Sequence, residues 1–486
     1  MSNRQYKHGI ERQQGFLLPV SMDEYVAADH PVRALDVYVA RLDLQALGFQ
    51  NTQDQRTAGQ PAFPPAVLLK LYLYGYLHRV RSSRQLEQET QRNLEVIWLL
   101  EGLRPSYKTI ADFRQHNLKA LTAVNKDFVQ VCKELDLFGR ELVAIDGRFF
   151  RGNVSKGRIY TEARLKKSLA RLERHIADYL KALEAADRAE AGTAAEAPAL
   201  QEKLATLRAR REKHQARLTQ LQASEATQLA EVDPDARLLT KAGQCVAGYN
   251  VQTAVDAKHK LLVLAEATQA GNDEGQLAPI AQAAQHLLEV DQLEATADSG
   301  YFAARGIQAC EEAQITPYVP EPDTTRQVRS QGRFGREAFT YDATANNYRC
   351  PAGKLLDYEC TTHKNGKTVF RYSSQAATCA ECPLRPHCLP SKTPYRQLAR
   401  WEHEAVLEAH RARMAKAGPA MMRARAALVE HPFGTLKLWC GWRHFLVRGL
   451  AKVQAELSLL MLSYNFKRVL TILGLDAWRA YCQQRV

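Results

Sequence analysis

The chain has 486 residues, of which 45% are hydrophobic, 8% aromatic and 24% charged, so it can bury a sizeable core and shows no sign of wholesale disorder. Lys and Arg number 66 against 53 Asp and Glu, a net charge of +13. That balance favours a polyanionic partner, usually nucleic acid, with a basic-surfaced soluble protein as the plainer alternative. No run of 18 or more apolar residues occurs, which argues against a membrane-spanning helix. The polar opening MSNRQYKHGIERQQG has no secretory pattern, so a cytoplasmic, nucleoid-associated protein is expected.

Residues 1–140 read as a helical domain. HPVRALDVYVARLDLQALGF carries Val32, Leu35, Val39 and Leu42 on one helical face. Pro61, Pro64 and Pro65 lead into a second helix, AVLLKLYLYGYLHRV. Ser82 and Ser83 are candidate caps for a third near Arg84, and Ser106 precedes a further helical stretch, KTIADFRQHNLKALTAVNKDFVQVCKEL. Arg81, Arg84 and Lys108 are among the cations that stud these helices, as in a DNA-binding module of helix-turn-helix type. A packing or dimerisation unit with a solvated basic face would give the same pattern.

At Glu141 the pattern changes. LVAID is a short apolar run ending in a carboxylate, a strand that delivers Asp146 to a sheet edge. Residues 161–232 interrupt the sheet: Leu165, Leu169, Leu172, Ile176, Tyr179 and Leu183 form a heptad seam, and Leu200, Leu204, Leu207, Leu218 and Leu221 form a second. The expectation is an antiparallel coiled-coil hairpin, weakened where Arg211 and His214 occupy the seam.

Residues 233–320 resume with strands CVAGYNVQTAVD and KLLVLAEAT, helix EGQLAPIAQAAQHLLEV, strand LEATADSGY ending near Asp298, helix FAARGIQACEEAQI and strand TPYVP. This α/β order suits a ribonuclease H-like core made of 141–160 and 233–320. Residues 321–398 form a second, Cys-rich insertion, and 399–486 return to helices as the C-terminal part of the core.

Three carboxylates, Asp146, Asp298 and Glu430, fall where such a fold could gather them. Hard divalent cations prefer carboxylate oxygens, and two such ions can clamp the attacking and leaving oxygens of a phosphodiester. Taken singly, each acid is more often a cap or turn residue. Five of the ten cysteines (Cys350, Cys360, Cys379, Cys382 and Cys388) lie in the Cys-rich insertion. Cys350, Cys379, Cys382 and Cys388 would make a closed tetrahedral site for a structural Zn²⁺, with Cys360 or His387 as substitutes. Free thiols are the alternative.

The motifs IDGRFFRGN, GYNVQTAVDAK, AGNDEGQLAPI, ADSGYF and VEHPFGTLK resemble transposases of bacterial insertion-sequence family 1182. So do HPVRALD, FPPAVLLKLYLYGYLHRVRSSRQLE and KTIADFR upstream, and SYNFKRVLTILG near the end. The resemblance implies a DDE transposase with Asp146, Asp298 and Glu430 as its triad and two Mg²⁺ (or Mn²⁺) ions. It implies hydrolysis at the terminal inverted repeats, then attack of the freed 3′-hydroxyl on target DNA, by a homodimer. Related enzymes carry an Arg before the Glu and a Lys after it as DNA contacts. Lys437 has the matching spacing, whereas Ala426 occupies the Arg position and Arg423 or Arg425 would substitute. Trp439 and Trp442 are candidate stacking platforms, although tryptophans in helical regions are more often core. A ribonuclease H-like nuclease without strand transfer and a domesticated DNA-binding protein are the competing readings. A zinc hydrolase ranks below both, for want of a motif such as HExxH.

Overall fold

The computed structural model describes residues 21–52, 61–188, 196–241, 243–323, 325–364, 366–436 and 444–484. Helix α1 (Val32–Ala40) buries Val32, Leu35 and Val39, and Leu42 joins them just past its end. Helix α2 (Pro65–Leu77) begins on Pro65, where a missing amide hydrogen leaves no bond unmade. It is buried on nearly every side. Helix α3 (Ser83–Arg92) starts at the expected serines, but no Ser82 side-chain bond caps it. Asn93 caps α4 (Leu94–Leu99) by accepting from the Glu95 and Val96 amides.

The stretch after Ser106 divides into α5 (Tyr107–His116) and α6 (Leu118–Glu134). Asn117, buried at the junction, donates to the Phe113 carbonyl and accepts from the Gln50 amide, which fixes the break.

Strand β1 (Leu142–Arg151) is longer than LVAID suggested, so Asp146 lies mid-strand and not at its end. Hydrogen bonding to a long partner keeps the chain extended beyond the aspartate. After β1 come β2 (Ile159–Thr161), α7 (Glu162–Arg188), α8 (Glu196–Gln222) and β3 (Gln228–Ala230). Leu165 and Leu169 of α7 pack against Leu218 and Leu221 of α8, so the two helices run antiparallel, and β2 pairs with β3 at their base. Arg211 is exposed, and His214 meets the Tyr160 ring edge-on.

The main sheet then gains β4 (Arg237–Lys241), an edge strand that the sequence pattern did not reveal, followed by β5 (Gln244–Asp256) and β6 (Leu262–Thr268). Helix α9 (Leu277–Leu288), β7 (Leu293–Thr296), α10 (Ala304–Glu312) and β8 (Ile315–Tyr318) complete this part. The sheet has six strands in the order β4-β5-β1-β7-β8, and β6 shares the outer edge of β5 with β4. β5 is antiparallel to β1 from Val143↔Asp256 to Arg151↔Gly248, whereas β7 and β8 run parallel to β1.

The Cys-rich segment holds α11 (Arg326–Ser330), β9 (Thr340–Asp342), β10 (Asn347–Arg349), β11 (Leu355–Lys364), β12 (Lys367–Ser373), α12 (Ala376–Ala380) and β13 (Gln397–Trp401). Its five strands form an antiparallel sheet over a small separate core of Phe339, Tyr348, Leu356, Tyr372 and Leu398.

Helices α13 (Glu404–Gly434), α14 (Leu450–Leu473) and α15 (Leu475–Gln483) follow. α14 packs on α2 and α6 on one side and on edge strand β6 on the other. Asn465 bonds both the amide and the carbonyl of Leu262, and Gln454 accepts from the Ala267 amide and donates to the Ala265 carbonyl. Side-chain amides thereby satisfy an edge that would otherwise be open to another strand. Trp478 of α15 sits among Tyr38, Phe128 and Phe466 and donates to the Ala34 carbonyl at 3.0 Å. One hydrophobic core therefore runs from the N-terminal helices through the sheet to α15, across the boundary at residues 140 and 141. No helix among the described residues is long and apolar enough to cross a membrane.

Candidate active site

Side chains alternate along β1, so Ala144, Asp146 and Arg148 share one face, and Ile145 and Gly147 the other. Helix α13 covers the first face: Leu428 and Val429 pack on Ala144, and Phe433 meets Phe150. β7 pairs with β1 only through Leu142↔Glu294, Val143↔Ala295 and Ala144↔Thr296. Carried two residues further, that register sets Asp298 level with Asp146, just beyond the end of β7. The opening therefore lies where β7 stops and β1 runs on.

Asp146 is only 2% exposed. Arg425 of α13 joins the two aspartates, with Nη2 at 2.9 Å from Asp146 Oδ1 and 3.4 Å from Asp298 Oδ2. Arg148 Nε lies 3.2 Å from Asp146 Oδ2. Burial raises the Asp146 pKa above the ordinary carboxylate value; Arg425 and Arg148 pull it down, and the Asp298 charge adds to the rise. Asp298 Oδ1 accepts from the Gly300 amide and so caps the turn at Ser299–Tyr301.

On the opposite face, absence of a side chain at Gly147 admits a second polar cluster. A Cβ there would come closer than 3.0 Å to Asp273 Oδ1, Gln252 Nε2 and the Tyr301 hydroxyl. Asp273, 3% exposed, accepts from Asn250 at 2.9 Å, Gln252 at 2.8 Å and Lys241 Nζ at 2.7 Å. Tyr301 donates to Gln252 Oε1. Burial works to raise the Asp273 pKa, but these hydrogen bonds outweigh it and hold the group below the usual value. A Cβ on Gly300 would stand 2.9 Å from Asp298 Oδ1 and 3.8 Å from Asp273 Oδ2, so the two clusters adjoin. Lys241, Asp273, Gln252 and Tyr301 were not singled out from the sequence. Three of them sit inside the quoted motifs GYNVQTAVDAK, AGNDEGQLAPI and ADSGYF, which was the available signal.

The other sequence-derived candidates separate. Glu430 is exposed on α13, about 140° around the helix from Arg425 at roughly 100° per residue, and shares no partner with the aspartates. Pro432 follows it closely and cannot donate to the Leu428 carbonyl, which loosens that turn. Arg423 is exposed. Lys437, Trp439 and Trp442 lie outside the described residues. Arg84 and Lys108 are exposed, and Arg84 stacks over the Tyr107 ring. Arg81 instead turns inward, to the His444 carbonyl and to the fully buried carboxylate of Glu456. His431 bonds the Tyr464 hydroxyl at 2.9 Å, a packing role.

Cys350, Cys379, Cys382 and Cys388 are neighbours. Burial raises the Cys388 pKa, Arg396 opposes the rise, and the other three sulfurs add to it. Cys360 sits opposite Arg371 in the β11–β12 ladder, and the His387 ring faces the Gly332 carbonyl. Among the described residues no group of three or more His, Cys, Asp or Glu side chains is set to hold a metal ion. Asp146 and Asp298 do supply adjacent hard oxygen donors whose counter-charge is a guanidinium, and the buried Nε of that guanidinium has no acceptor among the described residues. Two adjacent carboxylates are also the donor type that a hard divalent cation takes.

No curated protein matches the chain. A piggyBac transposase synaptic complex with hairpin DNA aligns over 94% of this chain and 79% of that one, at 8% identity and a TM-score of 0.30, values too low to support an argument. Two family models do match: a transposase domain (DUF772) over residues 20–116, and a transposase DDE domain over residues 349–470, the segment that contains Arg425 and Glu430. These two matches support a DDE transposase.

Proposed function

We propose that this chain is the transposase of an insertion sequence similar to family 1182, acting on the terminal inverted repeats of its element and joining their 3′-hydroxyl ends to target DNA. The observation that carries the reading is the Arg425 bridge, which holds two carboxylates from distant chain segments side by side at an open sheet end. The sheet order, with antiparallel β5 beside β1 and parallel β7 and β8 beyond it, supports the reading of a ribonuclease H-like core.

Asp146 and Asp298 would hold Mg²⁺ or Mn²⁺, and Glu430, exposed and turned away from them on α13 here, would have to swing inward to serve as the third acid. Bound there, two such ions supply Lewis acidity and neutralise charge on the attacking and leaving oxygens. Asp146, fixed mid-strand, orients the site. Arg425 keeps the aspartates together and leaves a cation beside the phosphate. The exposed Arg84, Lys108 and Arg423 would offer phosphate contacts along the duplex, joined by Lys437 at the spacing of related enzymes, with Trp439 and Trp442 as base-stacking platforms. Cys350, Cys379, Cys382 and Cys388 would take a structural Zn²⁺ that staples a segment with a small core. A homodimer would hold the two ends together for paired cleavage.

The test uses purified protein, MgCl₂ and labelled duplexes taken from the DNA flanking the reading frame. Wild type releases a 3′-hydroxyl end and joins it to a second duplex. Asp146→Asn, Asp298→Asn and Glu430→Gln each abolish both steps but still bind the duplex. A variant that still cleaves removes its residue from the triad. Cleavage without joining makes the protein a nuclease.

A further inference from the structure

We infer that Lys241, anchored by Asp273, is a further catalytic residue that grips a DNA phosphate beside the two aspartates; the inference rests on the transposase reading. Lys241 ends edge strand β4, and its side chain is 49% exposed. Its ammonium is nevertheless fixed at 2.7 Å from Asp273 Oδ2, the one acceptor it has among the described residues. An ammonium carries three donors, so two remain to face the opening.

Asp273 is itself immobile. It is buried, and Asn250 and Gln252 clamp its other oxygen from the middle of β5. A half-exposed ion pair adds little to stability, which leaves the elaborate anchoring of this lysine unexplained by stability alone. Anchoring does matter for a group that must meet a charged substrate without reorganising, because pre-oriented charge acts at full strength when the substrate arrives.

Charge balance points the same way. Asp146, Asp298 and Asp273 bring three negative charges to the opening, and Arg425, Arg148 and Lys241 bring three positive ones. Divalent cations on Asp146 and Asp298 would put positive charge in surplus there, and a DNA phosphate restores the balance. Lys241 belongs to the cluster on the Gly147 face of β1, whereas Arg425 approaches on the Asp146 face, and the Lys241 charge is near enough to interact with both Asp146 and Asp298. The two cations would then flank a phosphate from either side. Among the described residues the Asp273 carboxylate bonds Lys241 and the Asn250 and Gln252 side-chain amides, and it is a positioning residue.

The experiment compares wild type with Lys241→Met, Lys241→Arg, Asp273→Asn and Asp146→Asn. Mn²⁺ binding is titrated in the DNA-free protein, and binding and cleavage are followed on a duplex from the DNA flanking the reading frame. Lys241→Met binds Mn²⁺ at least as tightly as wild type, because a competing cation is gone. Its slope of log affinity against log salt falls by about 1, the loss of one phosphate contact, and cleavage drops on the order of 100-fold. Lys241→Arg recovers most of the salt slope, and Asp273→Asn behaves like Lys241→Met. Weaker Mn²⁺ binding in Lys241→Met, or an unchanged salt slope and cleavage rate, overturns the inference and leaves the transposase reading standing. Full Mn²⁺ binding by Asp146→Asn overturns that reading, and the inference with it.

Discussion

Gly147→Ala is the most direct probe of the architecture around the site. The added methyl would come closer than 3.0 Å to Asp273, Gln252 and Tyr301 at once. None of the three is a flexible surface group: all are buried, and Gln252 is bonded to both of the others. Relief requires moving a hydrogen-bonded network or bending β1, and overpacking of this kind costs about 1–3 kcal/mol. Breaking the bond from Gln252 to the charged Asp273 adds about 1.5–3 kcal/mol. Gly147 does not have a positive φ, so alanine recovers about 0.4–1 kcal/mol by restricting the unfolded chain. The net expectation is a loss of about 1.5–5.5 kcal/mol, read as a lower urea midpoint and, at about 1 °C per kcal/mol for a chain of 486 residues, a melting temperature lower by roughly 1.5–5.5 °C. Gly271→Ala is the control, since nothing lies within 4 Å of its Cβ position. A Gly147→Ala protein as stable as the Gly271→Ala control would refute the packing argument and the shared wall between the two polar clusters.

Glu456→Ala should destabilise the fold by about 3–5 kcal/mol in the same denaturation assay, because it takes the buried counter-charge from the half-buried Arg81 and removes the acceptor of the Leu446 and Val447 amides. A loss below 1 kcal/mol would mean that the ion pair is not formed. His410 is buried with a ring nitrogen 2.8 Å from the Val319 carbonyl, and burial lowers its pKa. Its contribution to stability is therefore present above the ordinary value of 6.5 and is lost as pH falls through the lowered pKa. His410→Gln should flatten the stability profile on the acid side of pH 6.5, and an unchanged profile would assign the acid sensitivity elsewhere. Metal analysis of purified protein should find about one zinc per chain and markedly less in Cys382→Ser; zinc-free wild type would sink the staple.

Local pattern was enough for much of the chain. The 3.6-residue period located α1 and α9, the prolines ahead of it located α2, the seam leucines located the α7–α8 pair, and a turn separated β5 from β6. These signals are legible because each arises within a short window. Lengths were less so: β1 runs on past Asp146 because β5 keeps pairing with it, and a partner far along the chain leaves no mark on the strand's own residues. Edge strand β4 escaped for the same reason.

The roles of the cations also depended on what lies opposite them. Arg81, Arg84 and Lys108 look alike in sequence, yet burial beside Glu456 takes Arg81 away from the surface. Arg425 reads as a basic residue near Glu430, and only the crossing of α13 over β1 sets it between Asp146 and Asp298. By itself, then, the sequence determined the element types, the acidic residues and the family resemblance, all of which depend on residue identity and short-range spacing. The tertiary structure alone decided which carboxylates meet, which cations they meet, and that Asp273 and Lys241 join them through the gap left by Gly147. Those outcomes are set by strand register and by helix packing between segments distant in the chain.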